Sequence, residues 1–123
     1  MIAIDSYGWI ERFTSGPKAK AYNELVDKLE PSQILTSVLI VYEVYKKVKS
    51  LLGEQKALEA VAVISQTNAV ELDQTLALEA ADYSLEHKLH RADAIIYATA
   101  RHHQAELCTS DENLKGLPGV NYI

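Results

Sequence analysis

Residues 91–111 read RADAIIYATARHHQAELCTSD. The first part, Arg91 to His103, is an Ala-rich helix. Its alanines at 92, 94, 98 and 100 let it pack close to a neighbour. Ala105-Glu106-Leu107-Cys108-Thr109 follows as a short apolar strand, and Asp111 stands just beyond its end. A helix leading into a short strand that stops at a carboxylate is one unit of an α/β fold.

The same alternation runs outward in both directions. Upstream, Ile2-Ala3-Ile4 is a strand, Ser6–Phe13 a helix, and Ser15-Gly16-Pro17 a break. A helix with Ala21, Leu25 and Leu29 at spacing four then runs to about Leu29, before Pro31. Gln33–Thr36 is a strand, Val38–Leu52 a long helix, and Gly53 its C-terminal stop. Glu54–Gln66 is a helix with Leu58, Val61, Ala62 and Ile64 inward, and Ala69–Leu72 a strand. Asp73 caps a helix carrying Leu76, Ala80, Tyr83 and Leu85. Downstream, Ser110–Leu117 forms a short helical turn, and Val120–Ile123 a last strand. The expectation is a three-layer α/β/α fold with a mainly parallel central sheet of short strands.

Composition narrows the function. The 123 residues suit one domain spanning 1–123, with 48% hydrophobic and 24% charged residues, so disordered and coiled-coil classes are excluded. The single cysteine, Cys108, rules out an intrachain disulfide and any zinc site needing two thiolates from this chain. Met1-Ile2-Ala3-Ile4-Asp5 lacks the features of a signal peptide, and no stretch approaches the ~18 apolar residues of a membrane span. A cytoplasmic protein with no membrane contact is expected. The net charge of −5 argues against a nonspecific nucleic-acid binder unless the acids are concentrated in one place.

Four acids stand out from those expected on solvent faces. Asp5 follows the first strand and Asp111 follows the strand ending at Thr109. Ligands in open α/β sheets sit at such strand ends, although each acid also suits a helix N-cap. Glu43 is the only charge in Val38–Tyr45, with Leu39 and Ile40 one turn before it and Lys46 and Lys47 one turn after. There a carboxylate is costly unless paired or bound to a cation. Asp93 lies in the first turn of its helix, which the helix dipole favours, and packing of the alanine face would turn it over the strand ends. Two carboxylates about 6 Å apart repel by about 3 kcal/mol at an effective dielectric of roughly 20. A convergent quartet therefore calls for protons or a divalent cation. All-oxygen ligands select Mg²⁺ or Mn²⁺ over zinc.

With Ile-x-Ile-Asp5-Ser6, Glu43 on the helix after the second strand, Asp93-Ala94-Ile95-Ile96-Tyr97-Ala98-Thr99-Ala100, and Leu107-Cys108-Thr109-Ser110-Asp111-Glu112-Asn113-Leu114, the chain resembles the PIN domain along its whole length. As a small chain without an accessory domain, it resembles in particular the VapC-type toxins of type II toxin–antitoxin pairs. The resemblance implies an acidic quartet, Asp5, Glu43, Asp93 and Asp111, binding one or two Mg²⁺ or Mn²⁺ ions and cleaving single-stranded RNA. It also implies supporting roles for Ser6, Thr109 and Asn113, a homodimer, and an antitoxin partner that occupies the active-site groove.

RNA also needs cations and stacking surfaces. Lys46, Lys47 and Lys49 follow Glu43, while Arg12, Lys18 and Lys20 lie near the first helix; Arg12, Lys46 and Lys47 are the principal candidates for RNA contacts. Tyr7 and Trp9 could stack on bases, although core packing suits Trp9 better. His102 and His103 suit a helix C-terminus, and Cys108 a buried strand. Three other readings compete: a housekeeping RNA-processing PIN nuclease, a phospho-acceptor receiver domain and a binding protein with a decayed site. A receiver would need paired acids near the first strand, where this chain offers only Asp5.

Overall fold

In the computed structural model, which describes all residues from Met1 to Ile123, five short strands form one sheet. The strands are β1 (Ile2–Ile4), β2 (Ile34–Ser37), β3 (Asn68–Val70), β4 (Glu106–Thr109) and β5 (Val120–Tyr122). Their spatial order is β3-β2-β1-β4-β5, and every neighbouring pair is parallel. Parallel neighbours need crossovers. The helices supply them: α1 (Ser6–Thr14), α2 (Ala19–Val26), α3 (Val38–Leu52), α4 (Glu54–Ile64), α5 (Gln74–His87) and α6 (Arg91–His102).

The order has a direct consequence. From β1 the chain adds β2 and β3 on one side, then crosses back to place β4 and β5 on the other. The reversal falls between β1 and β4, which pair Ile4 with Cys108 at their carboxyl ends. A crevice at such a switch point is where open α/β sheets bind ligands. Asp5 and Asp111 lie at its two lips.

Local sequence explains the elements that position the site. Ser37 caps α3 by accepting the Leu39 amide at 3.3 Å, and Gly53, at φ 92°, ends the helix. Buried Ala94, Ala98 and Ala100 seat α6 closely, with Ile96 and Tyr97 in the same core. Trp9 is buried and stacks on Phe13 with ring centroids 5.8 Å apart, so it is a core residue. Cys108 is buried in β4, and its thiol is pushed up to about 11, chiefly by burial.

Several expectations about faces and ends do not hold. The second helix stops at Val26, not near Leu29: Asp27 closes it and pairs with Arg12 at 3.0 Å, and Glu30 precedes Pro31, where helical backbone is disfavoured. Its buried residue is Tyr22, while Ala21 faces solvent. In α4 the inward line is Ala57, Ala60 and Ile64, because two small residues let the helix approach α3 and its buried Val44 and Val48. Leu58 and Ala62 therefore point outward. Leu85 on α5 is 83% exposed.

Candidate metal centre

Asp5, Glu43, Asp93 and Asp111 line a single cleft of about 400 Å³, together with Ser6, Tyr7, Ile10, Ser110 and Glu112. Four elements deliver the acids: the end of β1, the second turn of α3, the first turn of α6 and the segment after β4. They are spread over more than a hundred residues of chain.

Asp5 is held most firmly. It is buried, and its Oδ1 accepts the Ser6 amide at 2.7 Å while its Oδ2 accepts the Thr109 hydroxyl at 2.7 Å. The cap and the site are thus one residue: the carboxylate that starts α1 also lines the cleft. The Thr109 oxygen in turn accepts the Asp111 amide at 3.0 Å, and Asp111 Oδ1 accepts the Asn113 amide at 2.9 Å. One hydroxyl therefore ties the two strand ends together. Asn113 takes part through its backbone; its side chain is not in the cleft wall.

Burial and the charges of their neighbours act together on the acids of the cleft. Burial pushes the Asp93 carboxyl up to about 7, and Asp111, Asp5 and Glu43 all add to the rise. Burial raises Asp5 as well, with Asp111 adding to it and the Thr109 and Ser6 hydrogen bonds opposing it. Glu43 is raised by burial first and then by Asp5 and Asp111, while Ser6 partly offsets this. Its Oε1 is buried without any hydrogen-bond partner. An orphaned carboxylate oxygen costs about 1–3 kcal/mol or more, so its place beside three other acids fits a missing positive partner.

No group of three or more His, Cys, Asp or Glu side chains is set closely enough to hold a metal ion as it stands. The donor chemistry nevertheless fits a hard divalent cation: four carboxylates, no nitrogen or sulfur, repulsion among all four, and one oxygen with nothing to bind.

The candidate RNA contacts separate. Lys46 and Lys47 line a groove of about 430 Å³ that shares Ser6, Ile10 and Glu43 with the acidic cleft. Arg12 does not reach it. Its guanidinium donates to Asn23 at 2.9 Å and Asp27 at 3.0 Å, and it lines a different cavity beside Trp9.

Two features escaped the sequence reading. Tyr22, buried, shares a 2.7 Å hydrogen bond with Ser110 in the cleft wall, and burial pushes its hydroxyl up to about 12. Glu11 is buried and accepts the Lys18 amide at 3.4 Å, pinning the turn between α1 and α2. No local pattern marks either; only Gly8, whose missing Cβ leaves room for the Tyr22 ring, hints at the first.

A parallel five-stranded sheet with an acidic cleft at its switch point is the frame of the PIN domain, and the family model described as PIN domain matches residues 2–120. The chain belongs to that family. Among solved structures it is similar to a toxin–antitoxin complex from Klebsiella pneumoniae (28% identity, TM-score 0.82, all of both chains covered). It shares the fold of VapC20 of Mycobacterium tuberculosis, a sarcin-ricin-loop-cleaving toxin (17% identity, TM-score 0.76, covering 89% of this chain and 88% of that one). It also shares the fold of VapBC2 from Rickettsia felis, solved bound to a promoter DNA fragment (14% identity, TM-score 0.74, covering 100% and 98%). Among curated protein sequences none matches.

Proposed function

We propose that the protein is a metal-dependent endoribonuclease that hydrolyses phosphodiester bonds of single-stranded RNA, and that it acts as the toxin of a toxin–antitoxin pair. The observation that carries the reading is the convergence of Asp5, Glu43, Asp93 and Asp111 on one cleft, where burial, with the other three acids adding to it, raises Asp93 to about 7. Membership of the PIN family and likeness to a toxin–antitoxin complex across the full chain support it.

Asp5, Asp93 and Asp111 would hold Mg²⁺ or Mn²⁺, one ion or two, directly or through water, and Glu43 would complete the set. When bound, the cation acidifies an attacking water and neutralises charge on the phosphoryl oxygens. The chain's own residues prepare the ground. Ser6 and Thr109 fix the Asp5 carboxylate in orientation. Asp93, raised to about 7, would release its proton to solvent water on binding a cation. The unpartnered Oε1 of Glu43 accepts a proton from water or orients it. Lys46 and Lys47, on the adjoining groove, attract the RNA backbone that the acids would otherwise repel. Cleavage leaves 5′-phosphate and 3′-hydroxyl ends.

The antitoxin is a protein that covers the cleft. A homodimer is the expected assembly, and exposed Leu78 and Leu85, seven residues apart on α5, offer an apolar face for it. No helix is long and apolar enough to cross a membrane.

The test is cleavage of single-stranded RNA by the purified protein with Mn²⁺. Asp93→Asn should abolish cleavage while leaving the protein folded. If the unmodified protein leaves single-stranded RNA intact in both Mn²⁺ and Mg²⁺, the nuclease reading is wrong. Growth arrest on expression, relieved by a small neighbouring reading frame, separates a toxin from a housekeeping enzyme.

A further inference from the structure

On the proposed function, the groove bearing Lys46 and Lys47 adjoins the acidic cleft, with which it shares Glu43. A strand passing through the cleft would use a further hold, and the residues around Tyr7 offer one. Tyr7 lines the acidic cleft and is 42% exposed. The Lys18 ammonium lies 5.8 Å from its ring centroid and 5.5 Å from that of Tyr122. Lys18 Nζ also donates to the main-chain oxygen of Ile123 at 2.8 Å, so the cation is fixed between the two rings. Beyond Tyr122, Lys115 Nζ stands 4.7 Å from the same ring. Two aromatic rings and two ammonium groups therefore alternate in contact, Tyr7, Lys18, Tyr122 and Lys115, starting from Tyr7 in the cleft wall.

We propose that these four residues form a second RNA-binding arm, which receives the nucleotides on the side of the scissile bond opposite the Lys46–Lys47 groove. The inference rests on the nuclease reading for its substrate class. Three features favour single-stranded RNA as the occupant. Aromatic faces bind bases only when these are unpaired and splayed. The ammonium groups of Lys18 and Lys115 match the charge of a phosphate backbone. The Lys46–Lys47 groove repeats the arrangement, with Lys46 5.7 Å from the Tyr42 ring, so the same chemistry borders the acidic cleft at Glu43 and at Tyr7.

The test is the affinity of a short fluorescein-labelled single-stranded RNA of mixed sequence, read by anisotropy with Ca²⁺ in place of Mn²⁺ so that binding is seen apart from cleavage. Tyr7→Leu should weaken binding about tenfold, as loss of one stacking platform does. Lys115→Ala, an exposed change that leaves the fold alone, should weaken binding and reduce the slope of log affinity against log salt by about 0.7, the value for one phosphate contact on a single strand. Lys56→Ala on α4, far from the cleft, is the control and should bind as the unmodified protein does. Wild-type affinity and salt slope in both Tyr7→Leu and Lys115→Ala overturn the arm and leave that surface to a protein partner. An unmodified protein that binds the RNA but never cuts it defeats the nuclease reading alone, and the arm is still judged by its variants. An unmodified protein that does not bind RNA at all defeats both.

Discussion

The Thr109 hydroxyl donates to Oδ2 of Asp5 across 2.7 Å, joining two strand ends that lie 104 residues apart in the chain. The same oxygen receives the Asp111 amide at 3.0 Å. Two acids of the cleft are therefore aligned by one side chain that carries no charge.

That arrangement predicts the behaviour of Thr109→Val, which keeps the shape and removes the hydroxyl. Asp5 loses a buried donor and the Asp111 amide loses its acceptor, so unfolding free energy should drop by about 1–3 kcal/mol. RNA cleavage should fall as the acids lose alignment. Thr109→Ser should restore most of both, measured by chemical denaturation and by initial rates.

Asp93→Asn separates stability from activity. It removes the carboxylate that three neighbours oppose, so the metal-free protein at pH 8 should melt no lower than the unmodified one, and RNA cleavage in Mn²⁺ should drop on the order of 10²-fold or more. Substantial cleavage by the variant would take Asp93 out of the mechanism.

Metal-free stability should depend on pH in a definite direction. Asp93 is raised to about 7, so between the ordinary aspartate range and neutrality the folded protein binds more protons than the unfolded chain. Stability is then fully present at low pH and is lost as pH rises through about 7. Asp5 and Glu43, also raised, act in the same direction. The melting temperature in chelator should fall from pH 5.5 to pH 8, on a range set by roughly the 1.4 kcal/mol per pKa unit of linkage. Mn²⁺ should reverse the fall at pH 8 by binding the folded form.

Gly8→Ala tests the packing behind the site. A Cβ there would run into the Tyr22 ring and the Ile4 side chain. Overpacking of this kind should cost about 1–3 kcal/mol. It should also disturb the Tyr22–Ser110 hydrogen bond in the cleft wall, so activity should decline along with stability.

Much of this was legible in the sequence. The alternation of apolar triplets with longer helical stretches implied a parallel sheet, and Asp5 and Asp111 were placed at strand ends by position alone. Glu43 was marked by its solitude among apolar residues, and its Oε1 is buried without a hydrogen-bond partner. Periodicity cannot say which strands become neighbours, so the reversal between β1 and β4 was invisible until the sheet was assembled. Nor could it separate the two faces of α4, where Leu58 is the larger apolar residue but Ala57 and Ala60 permit the closer approach. Arg12 looked like a cation near the site, but its partners Asn23 and Asp27 lie on and just beyond α2, which local pattern cannot anticipate. Tyr22 and Ser110, 88 residues apart, illustrate the same limit.

Because β4 docks beside β1, a polypeptide still emerging from the ribosome owns Asp5 and Glu43 long before it owns Thr109 and Asp111, and Asp93 only shortly before them. Until that late strand arrives, Asp5 has no hydroxyl to hold it and the cleft has only one lip. A chain halted before residue 106 therefore carries three of the four acids without the geometry that aligns them, which the late strand alone completes.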